Sequence, residues 1–328
     1  MEDFKILSYE EEKKLSTNEK LDYYKKLRLY LKNMPTTKIN DFYMCVCNAL
    51  NKKFVRGVIN LIKGYELTVT GQENIPNGPV IYATTHQDFN DHFSIVLSIP
   101  EHAIILNTIN VSKIFKIIMG VNGIVYVDRN NKENRFNSKL KLMKYISKGK
   151  SVVVFPEGTY NCSPNKLHLP LHSGVLDMAR KMGVPIVPVV QEYNYDTLDN
   201  KKSLLKSCHV HFGRPIYVTA EDSLKDKKEE LSTAFATIRF KLIEEKGLYN
   251  REDLSNVEYI NQVKSIYKTW EMANVDKNEE RKTIYGYNDD FYLFHHINDV
   301  SFNEDNELLP TEYVLKLDKL YKKNLHKF

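Results

Sequence analysis

The chain has 328 residues, 42% of them hydrophobic and 27% charged, which is the composition of a globular protein with material for one large or two modest cores. A net charge of +5 suits an anionic substrate or an acidic membrane surface, and it lacks the dense basic blocks of a dedicated nucleic-acid binder. The cysteines at 45, 47, 162 and 208 have neither CxxC nor zinc-ligand spacing, so they read as buried thiols in a reducing compartment, by default the cytoplasm.

The opening "MEDFKILSYEEEKK" is acidic where a signal peptide is basic and then apolar, and no run of about 18 apolar residues follows anywhere. Residues 1–66 read as an N-terminal helical segment. "NEKLDYYKKLRLYLKNM" stops at Pro35, and the next stretch sets Ile39, Tyr43, Val46, Leu50, Phe54, Val58 and Leu61 at steps of three and four. That stripe, over 39–62, suits either the protein's own core or a membrane surface, with Lys52, Lys53, Arg56 and Lys63 beside it.

From 67 to 219 the pattern changes. The short runs "PVIYA", "AIILN", "GIVYV", "SVVVF", "PIVPVV" and "HVHF" alternate with segments that can hold helices, among them "NSKLKLMKYISKG" and "GVLDMARKMG". Apolar runs without polar alternation are strands covered on both faces. The expected fold is therefore α/β, a largely parallel central sheet flanked by helices, with ligands at the carboxyl ends of its strands. Residues 220–328 read as a helical C-terminal extension of unassigned role, ending in an aromatic cluster at 284–297.

A histidine followed five residues later by an aspartate occurs twice, at His86/Asp91 and His172/Asp177. The second pair lies in "LHSGVLDMARKMG", which reads as one helix. Five residues of helix turn through about 500°, so its side chains stand roughly 140° apart and do not meet. His86 instead follows the strand "PVIYATT", where the chain leaves the sheet, and it can fold back on Asp91 one turn further on. A carboxylate holding one imidazole nitrogen leaves the other to act as a base. Two further strand ends carry chemistry. "GIVYVDRNN" delivers Arg129, a planar fork suited to phosphate, and "SVVVFPEGTY" delivers Glu157, Gly158 and Thr159 with backbone amides able to face an anion.

In this order "THQDFND", "GIVYVDR", "FPEGT", "VPIVPV" and "VHFGRPI" resemble the conserved blocks of the glycerolipid acyltransferases of the 1-acylglycerol-3-phosphate acyltransferase type, over roughly residues 68–218. The resemblance implies that His86 is the base and Asp91 its partner, that Arg129, Glu157, Gly158 and Thr159 bind the acceptor, and that Val184, Pro185 and Ile186 shape the acyl site. It implies an acyl thioester donor, acyl-CoA or acyl carrier protein, as co-substrate. The acceptor would be a lysophospholipid, foremost 1-acylglycerol-3-phosphate, met by a cytoplasmic enzyme peripheral at the membrane surface. A thioester is already activated, so a base without a nucleophilic serine or cysteine, a metal or a cofactor is sufficient for the transfer.

The chain departs from the family's usual pattern in three places: Asp88 stands where Ser is frequent, Tyr160 where Arg or Ser follows FPEGT, and His172–Ser173 where a basic residue is usual. Two cations that would meet a phosphate are thus replaced. These departures keep two other readings open: transfer to a different alcohol, such as a glycolipid or another lysolipid, and a catalytically silent lipid-binding scaffold.

Overall fold

The computed structural model describes residues 4–35, 66–87, 91–108, 123–128, 130–158, 161, 167–195 and 205–245. The helix expected over 39–62 and the cluster at 284–297 lie outside them. The chain opens with two short-linked helices, α1 (Tyr9–Lys13) and α2 (Thr17–Asn33), each started by a capping box in which Ser8 pairs with Glu11 and Ser16 with Glu19. Tyr23, Tyr24, Leu27 and Leu31 lie at helical spacing on α2 and are all buried.

Seven strands form one sheet: β1 (Glu66–Thr70), β2 (Ile81–Thr84), β3 (Ile104–Thr108), β4 (Ile124–Val127), β5 (Val152–Val154), β6 (Ile186–Tyr195) and β7 (Leu205–Phe212). Their order is β1-β7-β6-β2-β5-β3-β4, and every pair is parallel except β6 with β7. The six runs read as strands are all present. β1, "ELTVT", alternates exposed and half-buried positions, as an edge strand does, and so gave no continuous apolar run to find.

Alternate residues of the central strands enter two cores. Ile81, Ala83, Val152, Val154, Ile186 and Val190 face one side, where α2, α4 (Lys132–Ser147), α5 (Gly174–Met182) and α6 (Leu224–Glu245) cover them. Val80, Tyr82, Ile105, Val153, Val187 and Val189 face the other, against Ile95 of α3 (Asp91–Ser98). Each buried Val or Ile among them contributes about 1.5–3 kcal/mol by leaving water, so the strands buried on both faces supply much of the core.

Two expectations change. α6 buries Leu231, Phe235, Phe240, Leu242 and Ile243, and Leu231, Phe235 and Leu242 lie in the same core as the strands. Residues 224–245 therefore pack on the same face of the sheet as α2, α4 and α5, across the boundary expected between 219 and 220. The segment "LHSGVLDMARKMG" is not helical throughout either. α5 begins at Gly174 and ends on Gly183 in the left-handed conformation (φ +65°), so His172 precedes the helix. Among the described residues no helix is long and apolar enough to cross a membrane.

Candidate active site

β2 and β5 are parallel neighbours, with Ile81 opposite Val152 and Ala83 opposite Val154. The segments leaving their carboxyl ends must therefore emerge side by side, which brings "THQ" and "FPEG" together although some 70 residues separate them. Strand β6, on the other side of β2, runs past the end of its neighbour. Thr84 is level with Val189, so Gln191 and Tyr193 stand beside the chain that leaves β2.

His86 and Asp91 meet in this corner. The imidazole Nδ1 lies 2.7 Å from Asp91 Oδ2, and both side chains are buried. Asp91 is the first residue of α3, where the partial positive charge of the helix end favours a carboxylate. Two more donors fix it. The Gln87 N–H donates to Oδ2 at 2.6 Å, and the Tyr193 hydroxyl donates to Oδ1 at 2.6 Å. Gln87 is itself tied to β6 through its side-chain amide, which donates to the Gln191 carbonyl. The carboxylate is thus held from the loop, the helix end and a neighbouring strand at once.

The ring of Phe155 lies over the His86 imidazole at 4.1 Å between centroids, and His92 meets it edge-on at 5.7 Å. Burial, with His86 adding to it, pushes His92 down to about 3, so His92 is a neutral neighbour at ordinary pH. The turn after β5 closes with the Gly158 N–H donating to the Phe155 carbonyl at 3.0 Å, and Gly158 has φ +71°. The positive φ favours glycine, and a Cβ there would stand 3.0 Å from the His172 ring, a contact tight enough to make that ring shift.

Glu157 is placed differently from the expectation that it binds an acceptor. Its Oε1 accepts the His86 N–H at 2.9 Å and its Oε2 accepts the Leu169 N–H at 2.7 Å, in a position with 4% of its surface exposed. Burial pushes this carboxyl up to about 8, against the opposing pull of those two backbone donors and of Arg239. It spends both oxygens on holding the backbone under His86. A buried carboxyl at a strand's end and one facing a ligand have the same sequence, so only the fold distinguishes them.

Val184, Pro185 and Ile186, expected from the resemblance to shape the acyl site, lie at the start of β6. Ile186 is level with Ile81 at the amino end of β2 and is fully buried in the core. Five residues of extended chain, about 16 Å, separate that level from His86. The run "VPIVPV" enters and forms a central strand, and its first residues face the end of the sheet away from the site. Arg129 and Thr159 lie outside the described residues. His172 and Asp177 form no pair: His172 lines the cleft, while Asp177 binds Lys139, Arg180 and Lys181.

A cleft of about 560 Å³ opens over this corner. His86, His92, Phe155, Gly158 and His172 line it, together with apolar Leu106, Leu142, Val154, Val175 and Met178. Arg135, Ser138 and Lys139 of α4 line it too. Their spacing places them on one face of the helix. Those three, and Tyr193 behind Asp91, went unnoticed in the sequence. Arg135 and Lys139 sit in a lysine-rich helix with no mark to separate cleft from solvent, and Tyr193 is one aromatic residue in a strand.

Fold and site together define an α/β domain with a histidine–carboxylate pair at the carboxyl edge of a largely parallel sheet. Residues 66–192 match the family model described as Acyltransferase. The 1-acyl-sn-glycerol-3-phosphate acyltransferase of Saccharomyces cerevisiae is 29% identical over 152 residues, 44% of this chain and 48% of that protein. The protein of the same name from Borreliella burgdorferi is 28% identical over 158 residues, 46% of this chain and 62% of its own length. The chain spans about half the length of such relatives. The crystal structure of the 1-acyl-sn-glycerophosphate (LPA) acyltransferase PlsC from Thermotoga maritima aligns with 70% of this chain and 90% of its own, at 18% identity and a TM-score of 0.47.

Proposed function

We propose that the protein is an O-acyltransferase that moves an acyl group from an acyl thioester to the hydroxyl of a lysophospholipid, foremost 1-acylglycerol-3-phosphate. The observation that carries this reading is the His86–Asp91 contact of 2.7 Å at the wall of the cleft. With Nδ1 held by Asp91, proton acceptance falls to Nε2. The acceptor hydroxyl gives its proton to Nε2 as its oxygen bonds to the thioester carbonyl carbon. The carbon–sulfur bond then breaks, and the leaving sulfur takes the proton from the imidazolium. Asp91 stabilises that imidazolium and fixes the tautomer, and Tyr193 and Gln87 fix Asp91. Glu157 is a positioning residue, acting on His86 through its backbone N–H. The names of the relatives and the apolar lining of the cleft support a lipid substrate, and acyl-CoA and acyl carrier protein are both donors in this reading.

The test is release of free thiol from an acyl thioester in the presence of a panel of lysolipid acceptors. Acceptor-dependent release is expected, and His86→Ala should lower turnover by ~10²-fold or more with the fold intact, the usual size of a proton-transfer contribution. Normal turnover in His86→Ala removes the mechanism. Thiol release from no acceptor in the panel leaves a lipid-binding scaffold in its place.

A further inference from the structure

Behind the cleft wall lies a buried ion cluster that the transfer mechanism does not use. Asp177 of α5 pairs with Lys139 of α4, with Arg180 at 2.9 Å and with Lys181 at 3.1 Å. Glu12 of α1 pairs with Arg180 at 3.1 Å and Lys181 at 2.6 Å. Two carboxylates therefore face three cations, a surplus of one positive charge among these described residues. Burial works against the Asp177 carboxylate, yet Lys139 and Lys181 outweigh it and hold it down at about 2. Lys139 fares otherwise. Burial lowers its pKa, with the Lys181 charge adding to it, against the opposing pull of Asp177 and Glu12.

Lys139 is also the member of the cluster that reaches the cleft, where its side chain keeps 30% of its surface exposed. Arg135 precedes it by one helical turn and Ser138 lies between, all three on the cleft wall that also carries His86. A cation short of counter-charge, beside a guanidinium fork, in a cleft with low-dielectric walls is an arrangement that recruits an anion.

We propose that Arg135 and Lys139 form a subsite for a phosphomonoester dianion carried by the acceptor, taking the part of the two cations that this chain lacks after FPEGT and before the glycine of α5. The proposal rests on the acyl-transfer reading for its choice of acceptor, and it deepens that reading by placing the acceptor's phosphate on α4. The second negative charge of the dianion would meet the surplus of the buried cluster. The acceptor's hydroxyl then lies toward His86, on the same wall.

The test is a calorimetric titration of the full chain with sn-glycerol 3-phosphate, a probe that needs no turnover. Arg135→Gln and Lys139→Gln should each weaken its binding about tenfold or more, as loss of a charge-assisted contact does. Lys141→Gln, an exposed cation on another face of α4, should change it by less than about twofold. Arg135 is exposed, so Arg135→Gln decides the matter even if Lys139→Gln does not fold. Unchanged affinity in Arg135→Gln, or equal losses in Lys141→Gln, overturns the subsite. Coenzyme A, which carries a phosphomonoester of its own, is titrated in parallel. An equal loss of coenzyme A affinity assigns the cations to the donor and also overturns the proposal. Binding that persists in His86→Ala and disappears in Arg135→Gln supports the subsite even if acyl transfer itself is refuted.

Discussion

A carboxyl that accepts two backbone N–H groups and sits out of reach of water has two opposing tendencies, and at Glu157 burial wins, raising it to about 8. Between its ordinary value of 4.5 and 8 the folded protein therefore holds a proton that the unfolded chain has released. Stability should fall as pH rises through that window and level off above it. His92 has the opposite sign, since its lowered value makes the folded state bind fewer protons, but its window closes near 6.5. The region from pH 6.5 to 8 thus lies outside the His92 window, and comparison with Glu157→Gln separates Glu157 from any other group that titrates there. Urea denaturation across it should show a downward slope in the parent that is absent in Glu157→Gln. The variant should also start lower by about 1–3 kcal/mol, because the amide presents an NH₂ to one of the two backbone N–H donors. A slope of equal size in both proteins would assign the titration to another group.

At the scale of elements, α6 is where the sheet and the site are joined. Arg239 donates to Glu192 of β6 at 3.0 Å and to the Leu167 carbonyl at 2.7 Å, and His168 Nδ1 and Nε2 lie 2.7 Å from the Leu169 carbonyl and 2.9 Å from Ser232 Oγ. Leu169 in turn donates to Glu157, which holds His86. Arg239→Met should cost about 3–5 kcal/mol by leaving Glu192 buried without its partner. Arg239→Met with Glu192→Met together should recover most of that loss in thermal denaturation. Failure of the double substitution to recover would mean that the Leu167 contact carries the stability.

How much of this was legible follows from the same elements. His86 and Asp91 could be read because both members lie within one turn of a strand's end, so local spacing contains their geometry. The inner strands β2, β3, β5 and β6 could be read because burial on both faces leaves continuous apolar runs. Glu157 could be seen but not aimed, since the strand before it does not say whether its carboxyl turns toward backbone or cleft. Val184–Ile186 could be read as the start of a strand but not placed against His86, because a run of apolar residues gives a strand without giving its level against its neighbours. Arg135, Lys139 and Tyr193 depend on contacts from chain far away, and no local pattern records those.

Over the whole molecule, the first helices are part of the catalytic half. Tyr24, Leu27 and Leu31 enter the core beside Leu142, Met143 and Ile146 of α4 and Leu176 and Ala179 of α5. Glu12 adds its ion pairs to Arg180 and Lys181. A chain begun at residue 35 should therefore lose about 5 kcal/mol or more from those three side chains alone. It should melt well below the parent in a thermal scan. A truncated chain with the parent's melting temperature would show that the two helices rest on the core without supporting it.

The bond from Arg180 to Glu12 spans 168 residues, so the helix made first waits for the partner made much later. At ~5–20 residues per second, a ribosome needs about 8–34 s to cover that distance. Over those seconds Leu27 and Leu31 emerge into the cell with nothing yet synthesised to receive them. Their protection falls to whatever holds nascent chains, and replacement of codons between the two helices by slowly read ones would lengthen the exposure without altering a single residue of the finished protein.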